Sequence, residues 1–152
     1  MILRIIIFAG VFALDLVSKA LLDYKNITLI DGVISFTYEH NTGAAWGLFG
    51  NATWLLAIFS LVFVIAFIYF DRRLKIDNTL YKVSFALVLA GTIGNMVDRF
   101  ALGYVRDFIY LDFLKTYPIF NVADISLVVG MILLAIYILF VHKPKEKGGL
   151  NE

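Results

Sequence analysis

The chain has 152 residues, of which 61% are apolar and 16% charged, and a mean hydropathy of +0.87, a composition of membrane proteins rather than of soluble domains. Its net charge of +1 gives no ground for nucleic-acid binding, so the positive charges matter by where they sit. There is no cysteine, and one of the two histidines lies in a charged tail, which excludes disulfides, thiolate nucleophiles, a lipid carried on the protein's own cysteine and an HExxH zinc helix.

Residues 2–22 are apolar apart from Arg4, Asp15, Ser18 and Lys19, and about 21 helical residues at ~1.5 Å each cross roughly 30 Å of hydrocarbon. An arginine followed by an apolar run resembles a signal peptide. No small-residue cleavage site closes the run, however, and two charges interrupt it, so it reads as a retained helix. Asp15, Ser18 and Lys19 stand at i, i+3 and i+4 and share one face, where Asp15 can pair with Lys19. That pair has two readings: a structural ion pair near the outer interface with Lys19 snorkelling, or direct contact with a substrate.

Over residues 26–40 the pattern alternates, with Ile34, Phe36 and Tyr38 opposed to Ser35, Thr37 and Glu39, and Asp31-Gly32 is a hairpin turn signal. A small β element is expected there. It leads into NTGAAWG at 41–47, where small residues permit close backbone approach and Asn41 offers both donor and acceptor. The plainer alternative is a tight loop with Trp46, like Trp54, in an interfacial aromatic belt.

Residues 52–70 carry no charge and form the clearest spanning helix. Residues 71–82 follow with Arg72, Arg73, Lys75 and Lys82. A third helix is expected over about 81–99 and a fourth over about 122–141, before a tail with Lys143, Lys145 and Lys147 that reads as disordered beyond Pro144. The positive-inside rule places both termini and the 71–82 segment in the cytoplasm, and the 23–51 and 99–121 segments outside. Arg99, Arg106 and Lys115 oppose that rule, a hint that some of them serve a site. The expected fold is one all-α membrane domain, residues 1–152, of four transmembrane helices with a small extracytoplasmic β element between helices one and two.

The densest polar stretch, residues 91–124, sets Asp98, Asp107, Asp112, Asp124, Arg99, Arg106, Asn95 and Asn121 between two apolar segments. Gly91, Asn95 and Asp98 share one stripe of the third helix, as they would either in a polar site or as helix-to-helix glue, with Arg99 snorkelling outward. Asp107 and Asp124 are both expected at the outer face. If their carboxyls meet, both cannot ionise comfortably, and the pair supplies an acid and a base. Taken singly, Asp107 is an exposed loop acid and Asp124 a first-turn or N-cap acid.

The stretches DLVSK (15–19), NTGAAWG (41–47), GNMVDR (94–99), VRDF (105–108) and FNVAD (120–124) resemble, in order and from helix one to helix four, the successive motifs of the prolipoprotein signal peptidases (signal peptidase II). The resemblance implies a bacterial inner-membrane aspartyl endopeptidase that removes signal peptides from diacylglyceryl-modified prolipoproteins, cutting before the lipidated cysteine. It implies no metal or cofactor, and lipid-modified prolipoproteins and membrane lipids as partners. By matching motifs, Asp107 and Asp124 would be the catalytic pair. Asn41, Gly43, Asn95, Arg99 and Asn121 would line the substrate site, with Asp15 and Lys19 supporting it. Gly91-Thr92 stands where the family often has two glycines, a variation that touches helix packing. Asp112 matches no motif and reads as ordinary loop. The alternative function is a small polytopic transporter or channel with a polar site in its outer half.

Overall fold

The computed structural model of the protein describes residues 1–44 and 48–142. Trp46 and the lysines of the tail, with the disorder expected there, lie outside the described residues. In chain order the elements are α1 (Ile2–Leu22), β1 (Asn26–Ile30), β2 (Ile34–Asn41), α2 (Thr53–Leu74), α3 (Thr79–Leu102), β3 (Val105–Leu111) and α4 (Val122–Ile136), the last prolonged by a π-helical turn over Tyr137–Val141. Four helices are long and apolar enough to span a membrane, as expected. Their limits move outward where caps decide them. Asn78 accepts the Tyr81 N–H and starts α3 two residues early, Gly103 at φ 82° ends it, and α2 continues to Leu74.

α3 is the centre of the bundle and packs on α1, α2 and α4. Its most apolar window is 56% buried, against 11–17% for the other three helices, and its hydropathy is the lowest of the four at 1.4. A helix enclosed by protein can carry polar groups that a helix facing lipid cannot. α1, α2 and α4 instead expose leucine, isoleucine, valine and phenylalanine along their lengths, as surfaces solvated by lipid do. The close approach of α3 to α4 depends on Gly91: a Cβ there would collide with the Ala123 carbonyl oxygen and lie 2.9 Å from the Leu127 nitrogen. Gly94 likewise leaves room for the Asp15 carboxylate, which a Cβ would meet at 2.5 Å.

The β element is a three-stranded antiparallel sheet in the order β1-β2-β3. The β1–β2 hairpin turns at Asp31-Gly32, where Gly32 has φ 69°. The expected β element between helices one and two is present as β1 and β2, and β3 adds to it a third strand from the segment between α3 and α4. The sequence stretch VRDFIYL pairs with β2 in the register Asn41↔Val105, His40↔Arg106 and Glu39↔Asp107. The chain then folds back on itself: the amides of Phe108 and Ile109 donate to the Phe120 carbonyl at 3.1 and 2.8 Å, and the Phe120 N–H returns to the Ile109 carbonyl at 3.1 Å. This bridge delivers the start of α4 to the side of β3. Asp112 is part of that construction, for the Ser35 hydroxyl donates to its carboxylate at 2.8 Å and its own N–H donates to the Val33 carbonyl at 3.0 Å.

Candidate active site

A cavity of about 260 Å³ opens where the ends of α3 and α4 meet the sheet, lined on its polar side by Asn41, Asn95, Arg99, Asp107 and Asp124. Its apolar side is formed by Tyr117, Pro118, Ile119 and Phe120 and by Leu127 and Val128 of α4. Asp107 comes from β3 and Asp124 from the first turn of α4, and both face this one space.

The two carboxylates are held by amides. Asn121 is the N-cap of α4: its side-chain oxygen accepts the Asp124 N–H at 2.9 Å, while Asp124 accepts the Asn121 N–H at 3.1 Å, a reciprocal capping box. The expectation that Asp124 is a first-turn acid therefore holds, and the N-cap alternative passes to Asn121. The Asn121 NH2 group donates to Asp107 at 2.6 Å and to the Asn95 oxygen at 3.0 Å. Asn95 in turn donates to Asp124 at 2.7 Å, and Asn41 donates to the second oxygen of Asp107 at 3.0 Å. Each carboxylate thus receives two N–H donors, and the pair is joined through Asn121 and Asn95.

Behind this layer lies Lys19. Its ammonium donates to the Asn95 oxygen at 3.0 Å and forms ion pairs with Asp15 at 2.8 Å and Asp98 at 3.4 Å. The Asp15–Lys19 pair forms as expected, but Lys19 does not snorkel: both side chains are 0% exposed. With no surface open to solvent, the charge is neutralised by its neighbours. With its oxygen facing Lys19 and Asn121, Asn95 is assigned the orientation that turns its NH2 group to Asp124. Asp15 also accepts the Ala123 N–H at 2.9 Å, tying α1 to the start of α4.

Arg99 folds back from α3 to donate to the Gly43 carbonyl at 3.1 Å instead of snorkelling outward, and its buried Nε has no hydrogen-bond partner among the described residues. Gly43 itself donates its N–H to the Asn41 oxygen at 2.9 Å, which fixes the amide that holds Asp107. Of the three positive charges that oppose the inside rule, Arg99 lines the cavity, Arg106 forms a two-pronged contact with Asp98, its NH2 at 2.7 Å and its Nε at 3.3 Å, and Lys115 is exposed. Asp98 therefore serves Lys19 and Arg106 rather than its neighbour Arg99.

Burial first, and the nearby Asp124 second, push the Asp107 carboxyl up to about 7, against the pull of its bonds from Asn41 and Asn121. Among the described residues no three histidine, aspartate or glutamate side chains converge as metal ligands would. Sequence reasoning missed the Asp98–Arg106 contact and the apolar wall from Tyr117 to Phe120; the charge of Arg106 against the orientation rule was the available signal for the first, and no periodic pattern marks the second.

The family described as Signal peptidase (SPase) II matches residues 7–140. Lipoprotein signal peptidase from Lactobacillus johnsonii is 44% identical over 116 residues, 76% of this chain and 75% of the relative. The protein of the same name from Geobacillus kaustophilus is 41% identical over 126 residues, 82% and 80% of the two chains. A solved bacterial membrane enzyme, obtained by the in meso method at 2.3 Å resolution, superposes with a TM-score of 0.87 at 30% identity, over 99% of this chain and 96% of that one. These likenesses displace the transporter alternative. The chain belongs to the signal peptidase II family, as a bacterial membrane protein and an aspartic-type peptidase of lipoprotein processing.

Proposed function

We propose that the protein is an intramembrane aspartyl endopeptidase that removes signal peptides from diacylglyceryl-modified prolipoproteins, cutting before the lipidated cysteine, with Asp107 and Asp124 as its catalytic pair. The observation that carries this reading is the convergence on one cavity of two carboxyls, the buried Asp107, pushed up to about 7, and the half-buried Asp124. Groups in that state share a proton near neutral pH, as an acid–base pair must.

Asp107 holds the shared proton, and Asp124 is the carboxylate, placed at the N-terminal end of α4 where negative charge is favoured. Asp124 accepts a proton from water as the water oxygen attacks the scissile carbonyl carbon. Asp107 gives its proton to the carbonyl oxygen, which makes a neutral gem-diol. Collapse of that intermediate reforms the carbonyl and breaks the C–N bond; the leaving nitrogen takes the proton from Asp124, and a hydroxyl proton returns to Asp107. Asn95, Asn121 and Asn41 hold the two carboxyls, and Arg99 offers its unpartnered Nε to a substrate carbonyl or ester oxygen. The apolar wall at Leu127 and Val128 leads from the acids along α4 toward the lipid, the side on which diacylglyceryl chains would remain. The cavity faces the outside, and both termini are cytoplasmic.

The test is cleavage of a lipidated prolipoprotein by purified protein. Asp107→Asn and Asp124→Asn each lower turnover by roughly 10³-fold or more with melting temperature retained, while Asp112→Asn, which alters a contact under the hairpin, keeps most of it. Substantial turnover by either of the first two variants removes the dyad. Loss in the third moves the chemistry to another acid.

A further inference from the structure

One edge of β3 pairs with β2. On the other edge the Arg106 N–H donates to the Asp98 carboxylate at 3.1 Å, and the Arg106 carbonyl faces the Asn121 NH2 group at 3.5 Å. Two residues on, the Phe108 N–H donates to the Phe120 carbonyl at 3.1 Å. In an antiparallel strand every second N–H points to the same side. This edge therefore meets a side-chain carboxylate at one position and a main-chain carbonyl at the next. Asp107 stands between the two.

The carboxylate that takes the first position is itself firmly held. Asp98 is 1% exposed. Its Oδ2 accepts the Arg106 N–H and lies 3.3 Å from Arg106 Nε and 3.4 Å from the Lys19 ammonium, while its Oδ1 accepts Arg106 Nη2 at 2.7 Å. Lys19 also pairs with Asp15 at 2.8 Å, so two acids and two bases balance in charge, as burial demands. Successive side chains of a strand point to opposite faces, and the Arg106 guanidinium accordingly serves Asp98 while Asp107 faces the cavity. Asp98 belongs to α3, which packs on the other three helices. Its bond to the Arg106 N–H thus fixes the strand relative to the bundle, where otherwise the turn at Gly103 alone would link them.

We propose that Asp98, through the Arg106 N–H, is a positioning residue for Asp107. It does not line the cavity and touches no reacting atom. The inference rests on the reading of Asp107 as one of the catalytic pair.

The experiment measures kcat, KM and melting temperature for purified full-length variants cleaving a lipidated prolipoprotein. Arg106→Ala removes the guanidinium but leaves the N–H bonded to Asp98, and kcat stays within about threefold. Arg106→Pro removes that N–H as well, and Asp98→Ala/Arg106→Ala removes its acceptor while the Asp15–Lys19 pair stays balanced. Each lowers kcat a further tenfold or more, roughly the effect of a misplaced reacting group, with KM within about twofold of Arg106→Ala. The two break one bond from its two ends, so either decides if the other does not fold. A folded variant of either kind with the kcat of Arg106→Ala overturns the proposal, as does a loss confined to KM. Arg106→Ala as inactive as Asp107→Asn also overturns it, because the ion pair and not the N–H would then be the cause. Turnover by Asp107→Asn removes the catalytic reading itself, whereas an inactive Asp107→Asn beside an unimpaired Arg106→Pro removes this inference alone.

Discussion

Asp107 is the residue at which pH acts on both stability and chemistry. Its carboxyl titrates near 3.8 in an unfolded chain and at about 7 in the folded one, so the folded protein holds this proton more tightly. The stability that goes with the protonated form is complete below about pH 4 and is lost as pH rises through about 7. At ~1.4 kcal/mol per pH unit the loss amounts to up to about 4 kcal/mol. Asp107→Asn cannot ionise, and its melting temperature relative to the unaltered protein therefore rises between pH 4 and pH 8; a difference that stays constant over that range refutes the buried, proton-holding carboxyl. Turnover follows the same group under the proposed mechanism. Once the pair has lost its shared proton there is no acid for the carbonyl oxygen, so kcat/KM declines above about pH 7 with a slope of about −1. A profile flat to pH 9 contradicts that assignment.

Among the elements, α3 decides the site, because it packs on the other three helices and because its polar residues project from the faces so enclosed. From one helix, Asn95 reaches Asp124, Asp98 reaches Lys19 and Arg106, and Arg99 reaches Gly43. These reaches are short only while α3 lies close to α4, and Gly91 is what permits that. Gly91→Ala would set a methyl group against the Ala123 carbonyl, two residues from Asn121 and one from Asp124. A cost of about 1–3 kcal/mol is expected for such overpacking, seen as a lowered melting temperature with reduced turnover. Gly10→Ala, where nothing lies within 4 Å of the added carbon, is the control and leaves both unchanged. Equal behaviour of the two variants would show that the helices tolerate greater separation.

For the whole molecule the governing asymmetry is of charge. Arg4, Arg72, Arg73, Lys75 and Lys82 collect at one end of the bundle, and the sheet and the cavity lie at the other. From the positive-inside rule we propose that the cavity lies outside. Because the chain contains no cysteine, single labels can be introduced without removing any. Asp31→Cys in the hairpin turn reacts with a membrane-impermeant maleimide added outside intact spheroplasts, and Asp77→Cys between α2 and α3 reacts only after permeabilisation. The reverse pattern overturns the orientation. Much of this level was legible in advance, since spans of hydrocarbon length and runs of basic residues are local properties of the chain. At the site, the motif residues 41, 95, 99, 107, 121 and 124 were also named in advance and do meet. The contacts that hold them were not legible, because Lys19 and Asn95 are 76 residues apart, and Asn41 and Asp107 are 66 apart.

The sequence alone determined the four helices, the hairpin at Asp31-Gly32 and the candidate acids, since hydropathy, period and turn chemistry act over a few residues at a time. Only the tertiary structure decided the rest. VRDFIYL became a third strand because β2 offered it an edge, and a strand's pattern does not name its partner. The Ile109–Phe120 bridge then set β3 beside the start of α4, which brought Asp107 and Asp124 to one cavity. Lys19 was expected to reach water, but α3 and α4 close over it. Deep burial leaves a charge no solvent but its neighbours, and those neighbours, Asp15, Asp98 and Asn95, link it to the acids of the site.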